Sequence, residues 1–366
     1  MVISDETLKE FLVFIGVTIG HIKPCMKICA VITVSFCYAS LIYQIIASFK
    51  LLFSPFIKIG ISQILLTLSS SLIWLTCFFR RKKFTILIQK FFSFRNRYGI
   101  EKNSSTFIQL FIAILILLLF MVSQVQHFVV DSQSTFAFWT LNAEIPEGAS
   151  KSSIIIVINL INFATYFFPV FVTFILSIIL YKFADFFHFY NTSLKSQLRV
   201  VKKCKRIEFL EDFPMMLKLQ CRMNELMNYP LFFPVLYSLH EIFKVLHFLI
   251  LNRGVLRYSL IVDVILTFTC SGAMLVMYSI CSSMVTENMT KVTVTAREKV
   301  NSHVFGTVNS IPLNVLLCLK RIEKEKIVYV SVCDLFHLSK SFILSAIGIT
   351  LSYDLLIITA LMNDGK

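Results

Sequence analysis

Charge is scarce in this chain, and turn residues are scarcer. Asp, Glu, Lys and Arg make up only 15% of the 366 residues, against ~25% in an ordinary soluble domain. Ten Gly and eight Pro exclude a collagen-like or Pro/Gly-rich disordered chain. The sequence has no Gly-rich phosphate loop, no nucleophile elbow, no His-Glu-x-x-His and no paired-Cys metal spacing. Nothing in it points to an enzyme, a cofactor or a metal centre. What fills the chain is apolar: 57% hydrophobic residues and 37 Phe, with a mean hydropathy of +0.77. A formal charge of +14 would suggest nucleic acid in a soluble protein. Here the basic residues lie between apolar runs, which is an orientation signal for a membrane protein, so no nucleic-acid partner is expected.

A helix needs about 20 mostly apolar residues to cross the hydrocarbon core. Seven runs qualify: Cys25–Phe49, Ile57–Phe78, Phe107–Val125, Ile154–Tyr181, Pro230–Leu251, Leu256–Met284 and Leu335–Met362. The expected fold is all-α, a polytopic membrane protein of seven transmembrane helices with helical extensions in the cytoplasm. An earlier run, Phe11–Gly20, is too short to span, and Asp5, Glu6, Lys9 and Glu10 before it are unlike a secretory signal.

Lys and Arg counts set the orientation. The segment before the first span holds 2, the loop Phe79–Thr106 holds 8, Lys182–Tyr229 holds 9 and Val285–Asp334 holds 7, so that side totals 26 against 6 opposite. Positive-inside bias puts the N-terminus in the cytoplasm and the C-terminus outside, with the chain in the plasma membrane. All ten cysteines fall in spans or inner loops, so no outer disulfide is expected. Cys25 and Cys29 read as small apolar residues. The three sequons, at Asn103, Asn191 and Asn288, all fall on the inner side and should carry no glycan.

The chain then divides into a cytoplasmic N-terminal segment (1–24), helices 1–5 with a long inner loop at 182–229 (25–251), helix 6 (252–284), a cytoplasmic helical anchor loop (285–334), and a last helix with a short outer tail (335–366). Lys182–Asp212 reads as a helical continuation of the fourth span through Phe186, Phe187 and Tyr190 to Leu194 and Leu198. In the anchor loop Val292, Val294, Val300, Val304 and Val308 suggest a packed helix. Pro312 interrupts it, and Leu316, Leu317 and Leu319 follow. Such loops can join into a small helical bundle.

Polar side chains in the outer halves of the spans are candidate ligand contacts: Gln124, Asn159, Asn162, Tyr166, Tyr237, His240, Lys244, His247, Asp263 and Thr267. Facing lipid would be costly, so they face a common interior. They form either a ligand pocket or a network that holds the helices together. His240 and His247 lack further ligands for a metal. Lys244 and Asp263 each lie ~10 Å deep by helical rise, which predicts an ion pair between spans five and six.

The last span runs from Leu335 to Met362 and contains Ser352-Tyr353, then five mostly apolar residues, then Thr359-Ala360. Ser352, Leu356 and Thr359 lie at i, i+4 and i+7, a stripe of hydroxyl, apolar and hydroxyl groups. An apolar ring can gate by dewetting and hydroxyls can hydrate an ion; the same stripe can also pack on a neighbouring helix. Asp354 lies off it.

This helix resembles the final helix of the arthropod gustatory receptor family, kin of insect odorant receptors, whose signature is Thr-Tyr, five residues, then Gln-Phe. Ser352, Tyr353, Thr359 and Ala360 stand at the signature positions, with Ser for Thr and with Gln and Phe replaced. The resemblance implies a ligand-gated, non-selective cation channel in which four subunits, alike or mixed, each give the last helix to a central pore. Ser352, Leu356, Thr359 and Ala360 then line that pore. It implies as partners a small-molecule tastant or other chemical ligand, permeating cations, the lipid bilayer and sister subunits. The competing readings are a G-protein-coupled-type receptor, disfavoured by charge bias, and a secondary transporter, disfavoured by odd span number.

Overall fold

The computed structural model describes residues 57–98, 168–196, 206–251, 258–304, 312–333 and 335–363, with scattered helical positions between Val31 and Phe49. The third expected span lies outside these residues, as do the first half of the fourth and the sequon Asn103.

The described chain is helical apart from one short hairpin. In order it forms α1 (Ile57–Arg97), α2 (Phe168–Lys195), α3 (Arg206–Glu211), α4 (Phe213–Leu251), α5 (Tyr258–Val304), α6 (Leu313–Lys324), β1 (Ser331–Val332), β2 (Phe336–His337) and α7 (Lys340–Asn363). Among the described residues three stretches are long and apolar enough to cross a membrane: Ile64–Arg97, Phe168–Lys195 and Thr267–His303.

Several helices run well past their apolar stretches. The 47 residues of α5 span about 70 Å at 1.5 Å per residue, against ~30 Å of hydrocarbon. In α1 the run Arg80–Lys83 does not end the helix, because Arg and Lys are good helix formers. Beyond it Phe84, Leu87, Ile88, Phe91, Phe94 and Arg95 recur at helical spacing and are all buried. The stretch expected as an inner loop, 182–229, is helix over most of its length, and α2 stops at Lys195 rather than continuing to Asp212.

These extensions pack into one core. Phe91 stacks on Phe183 at 4.1 Å between ring centres, and Tyr190 stacks on Phe209 at 4.3 Å. The Tyr190 hydroxyl donates to the Phe209 carbonyl at 3.1 Å. Buried charge is paired: Arg95 meets Asp185 at 3.2 Å, with 3% and 9% of the side chains exposed. Arg97 reaches Asp212 at 3.3 Å, and the Tyr98 hydroxyl donates a short hydrogen bond to the same carboxylate. Burial, and then the Asp212 carboxylate, push the Tyr98 phenol well above its ordinary value.

Two expectations about apolar faces need correction. Val292, Ala296 and Val300 are buried, whereas Val294 is exposed, because two residues turn the helix by about 200°. Leu319 and Ile322 face the core, and Leu317 is exposed for the same reason. Asn191 and Asn288 are both buried. Thr295 donates to the Asn191 side-chain oxygen at 2.8 Å, and the Asn288 amide donates to the Ala184 carbonyl at 3.0 Å. Both sequons therefore serve as α2–α5 cross-links in the fold. Their lack of glycan would not report sidedness, and that test falls to Asn103.

Candidate functional site

The apolar halves of α1, α2, α4 and α5 meet around Tyr237. Its side chain is buried with Leu66 from α1 and Met274 from α5, and Val170 from α2 packs on them. Thr173, one turn below Pro169, donates to the Pro169 carbonyl at 2.7 Å, and its oxygen lies 3.3 Å from the Met274 sulfur. Trp74 stacks on Phe168 at 3.7 Å with 11° between the planes. Tyr278 is fully buried and lies beside Thr173 and Cys77.

Polar atoms here lack partners. Trp74 Nε1, Ser177 Oγ, Ser279 Oγ and Ser282 Oγ are buried with no hydrogen-bond partner among the described residues. Ser177 follows Thr173 by one turn on α2, and Ser282 follows Tyr278 by one turn on α5, so these groups share the facing sides of two packed helices. A buried hydroxyl without a partner costs about 1–3 kcal/mol. Interiors keep several such groups where something else, water or ligand, satisfies them.

A second pair lies on α4. Glu241 is fully buried, with Lys244 2.9 Å from one carboxylate oxygen. The other oxygen, and Ser238 Oγ one turn away, have no partner among the described residues. Lys244 therefore has an acidic partner on its own helix. The side chain of Asp263, expected to fill that role, lies outside the described residues.

The remaining expected ligand contacts divide. Tyr237 is in the junction described above. His240 and Lys244 are half-buried on α4, and Thr267 is half-buried on α5. Gln124, Asn159, Asn162, Tyr166 and the side chain of His247 lie outside the described residues.

On α7 the stripe stands free of the rest of the chain. Leu356 is 66% exposed and Leu344 is 74% exposed, and Ser352 and Thr359 are exposed too. Each hydroxyl gives its proton to its own helix: Ser352 to the Gly348 carbonyl at 2.8 Å, Thr359 to the Leu355 carbonyl at 2.9 Å. Their oxygen lone pairs stay available. Tyr353 packs on Phe243 of α4 at 5.4 Å, at the edge of an apolar groove of ≈ 390 Å³ between the two helices. The side chains of Asp354 and Ala360 lie outside the described residues.

No family model and no curated relative matches the sequence. Solved structures do match. The insect olfactory receptor OR5 from Machilis hrabei, in complex with eugenol, superposes with a TM-score of 0.69 over 97% of this chain and 98% of that one, at 10% identity. A second structure of that receptor gives 0.67 over 96% of each chain, at 12% identity. This chain has the fold of an insect olfactory receptor. The receptor fold is all-helical, polytopic and membrane-embedded, and it extends over nearly the whole sequence.

The expected ligand contacts did not include Trp74, Ser177, Ser282 or Glu241, whose buried polar atoms have no partner among the described residues, nor Thr173 and Tyr278 beside them. Two signals were there to be read. Thr173 and Ser177 are hydroxyls one turn apart within an apolar run, and Glu241 is an ionisable residue within a span, which is by default a functional candidate.

Proposed function

We propose that this protein is a chemosensory receptor, of gustatory type by its last helix, that acts as a ligand-gated, non-selective cation channel. The observation that carries the reading is the uncovered α7. A membrane helix with Leu344, Ile349, Leu355 and Leu356 each at least 66% exposed is open to packing against sister subunits as well as lipid. Four copies around one axis bury the apolar side chains between subunits and turn one stripe inward. Leu356 then forms an apolar ring that gates by dewetting, with the lone pairs of Ser352 and Thr359 on either side to hydrate a cation. Ala360 lies one position past Thr359 at the outer mouth.

The ligand site in this reading is the interior among α1, α2, α4 and α5. Its unpartnered donors and its aromatic walls, Trp74, Phe168 and Tyr278, suit a small molecule with a flat face and one or two hydrogen-bonding groups. The solved relative holds eugenol, a ligand of that description. Gln124, Asn159, Asn162, Tyr166, Tyr237, His240, Lys244, His247, Asp263 and Thr267 would line the same space from the outer side. With the N-terminus inside, as the basic residues direct, the aromatic-packed end lies in the cytoplasm.

Purified protein in planar bilayers tests the reading. Tetrameric particles that pass Na⁺ and K⁺ alike support it, and Leu356→Ser should raise conductance without ligand by at least tenfold. Monomeric particles without current would sink it and favour a G-protein-coupled-type receptor.

A further inference from the structure

Helix α4 carries Pro230 and Pro234 inside its length. Proline has no N–H, so the carbonyl four residues before it loses its donor, and the ring pushes that carbonyl outward. For Pro230 the orphan is the Leu226 carbonyl. Arg80 of α1 takes it: one guanidinium nitrogen donates to Leu226 O at 2.9 Å and to Glu225 O at 2.6 Å. The same guanidinium lies over the Tyr229 ring, 4.7 Å from its centre.

The hairpin before α7 grips the same stretch of α4 through different groups. Asn224 accepts from the Ser331 backbone N–H at 3.0 Å and donates to the Ser331 hydroxyl at 3.2 Å. The Asn228 amide, in the orientation that satisfies both its ends, donates to the Asn224 carbonyl at 3.1 Å and the Ser331 carbonyl at 2.9 Å. The Cys333 thiol points to the Asn228 carbonyl at 3.7 Å. Cys333 itself has φ 50°, a left-handed conformation that a non-glycine residue holds only when its surroundings fix it. Eight residues later the chain is inside α7.

We infer that Arg80 is a positioning residue: it latches a proline hinge at Leu226–Pro230 of α4, and Asn224 and Asn228 pass the state of that hinge to the hairpin that aims α7. A helix lacking two consecutive-turn N–H donors bends there at low cost. Arg80 holds the freed carbonyl in one arrangement, with both bonds from one guanidinium nitrogen and the planar group laid over Tyr229, a stacking that a lysine ammonium does not reproduce. Movement of α1 against α4 then reaches the base of α7 through hydrogen bonds, with no ligand touching α7. Only the electrical readout below rests on the channel reading.

The test is a double-mutant cycle on the full chain in phosphatidylcholine nanodiscs, read by hydrogen exchange. Arg80→Met should speed exchange of amides 225–231 at least tenfold and speed exchange of the hairpin at 331–338. Pro230→Ala restores the missing N–H, so on that background Arg80→Met should change exchange less than twofold. Arg80→Lys should fall between. Asn224→Ala should abolish the hairpin response to Arg80→Met while leaving the α4 response. If Arg80→Met alone does not fold, Pro230→Ala should rescue it, and failure of that rescue overturns the latch. Equal effects of Arg80→Met in both backgrounds also overturn it. A response confined to α4 overturns the coupling to α7. The same cycle on basal current should show a fivefold change for Arg80→Met and under twofold on Pro230→Ala. Absence of current from the unaltered protein would strike the channel reading and leave the exchange result standing.

Discussion

The two ends of this helical bundle are finished to different standards. At the basic end the core is aromatic and its polar groups are mostly spoken for. Arg95 has Asp185, Asn191 has Thr295, Asn288 has Ala184 and Tyr190 has Phe209. Among the described residues Ser193 Oγ, the Gln220 amide and Arg95 Nη1 are its exceptions. At the apolar end Trp74, Ser177, Ser238, Glu241, Ser279 and Ser282 each keep a buried polar atom with no partner among the described residues. A protein that merely needed to stay folded would have replaced those groups with Ala or Phe, since burial without a partner is unfavourable. The contrast teaches that one end is built as a foundation, while the other has the unspent polar groups that the proposed function uses as a receptacle.

The largest way to break the comparison is to damage the foundation. Phe183 is fully buried and stacked on Phe91, so Phe183→Ala should cost about 3–5 kcal/mol. Thermal unfolding of purified protein in nanodiscs should show it, and surface expression should fall. Next comes the buried ion pair. Asp185→Ala leaves the Arg95 charge in a dry core and should cost about 3 kcal/mol or more, while Arg95→Met with Asp185→Leu should recover most of that.

A smaller and more telling effect has the opposite sign. Ser279→Ala removes a fully buried hydroxyl that has no partner among the described residues. It should leave stability unchanged or raise it by about 1 kcal/mol, while weakening ligand response. Ser177→Ala should behave alike. Destabilisation by more than about 1 kcal/mol would mean that the hydroxyl has a structural role, and the receptacle reading would lose its support.

Length and hydropathy carried much of this fold into view, because a long apolar run reports directly on membrane burial. Three features stayed hidden for physical reasons. The helices run on through Arg80–Lys83 and through 213–229 because charge is compatible with helix, so a polar stretch looked like a loop. The hairpin of Ser331–Val332 on Phe336–His337 is two residues a side and turns at a left-handed Cys333, which no Gly or Asn advertised. Pairing was the least legible. Most hydroxyls in these helices, Ser69 and Thr76 among them, return to a carbonyl of their own helix, whereas Ser177 does not, and nothing in the sequence separates them. Lys244 was expected to meet Asp263, whose side chain lies outside the described residues, and Glu241 on its own helix is a partner that the expectation did not include. Partnership is a tertiary property, which is why the groups that the proposed receptacle rests on could not be picked out beforehand.

The smallest expected effect sharpens how the foundation is moored at its rim. Tyr98 follows directly after α1, where its hydroxyl donates to Asp212, the carboxylate that Arg97 also reaches. Both Arg97 and Asp212 are partly exposed, so solvent screens this cluster and Tyr98→Phe should cost under about 1 kcal/mol at neutral pH. Its pH dependence is the better signature. The phenol is held above its ordinary value, by burial first and by the neighbouring carboxylate second. The folded protein therefore keeps this proton where the unfolded chain has lost it. The stability that Tyr98 contributes is whole below about pH 10, the ordinary tyrosine value, and is lost as pH rises from there through the folded value. Other groups also titrate at high pH, so an alkaline decline persists in any variant, and the difference between proteins isolates Tyr98. The drop in melting temperature from pH 8 to pH 10.5 should be smaller in Tyr98→Phe than in the unaltered protein. Equal drops would mean that the phenol is free to ionise in the folded state, and that the rim of the foundation is as loosely satisfied as the receptacle it supports.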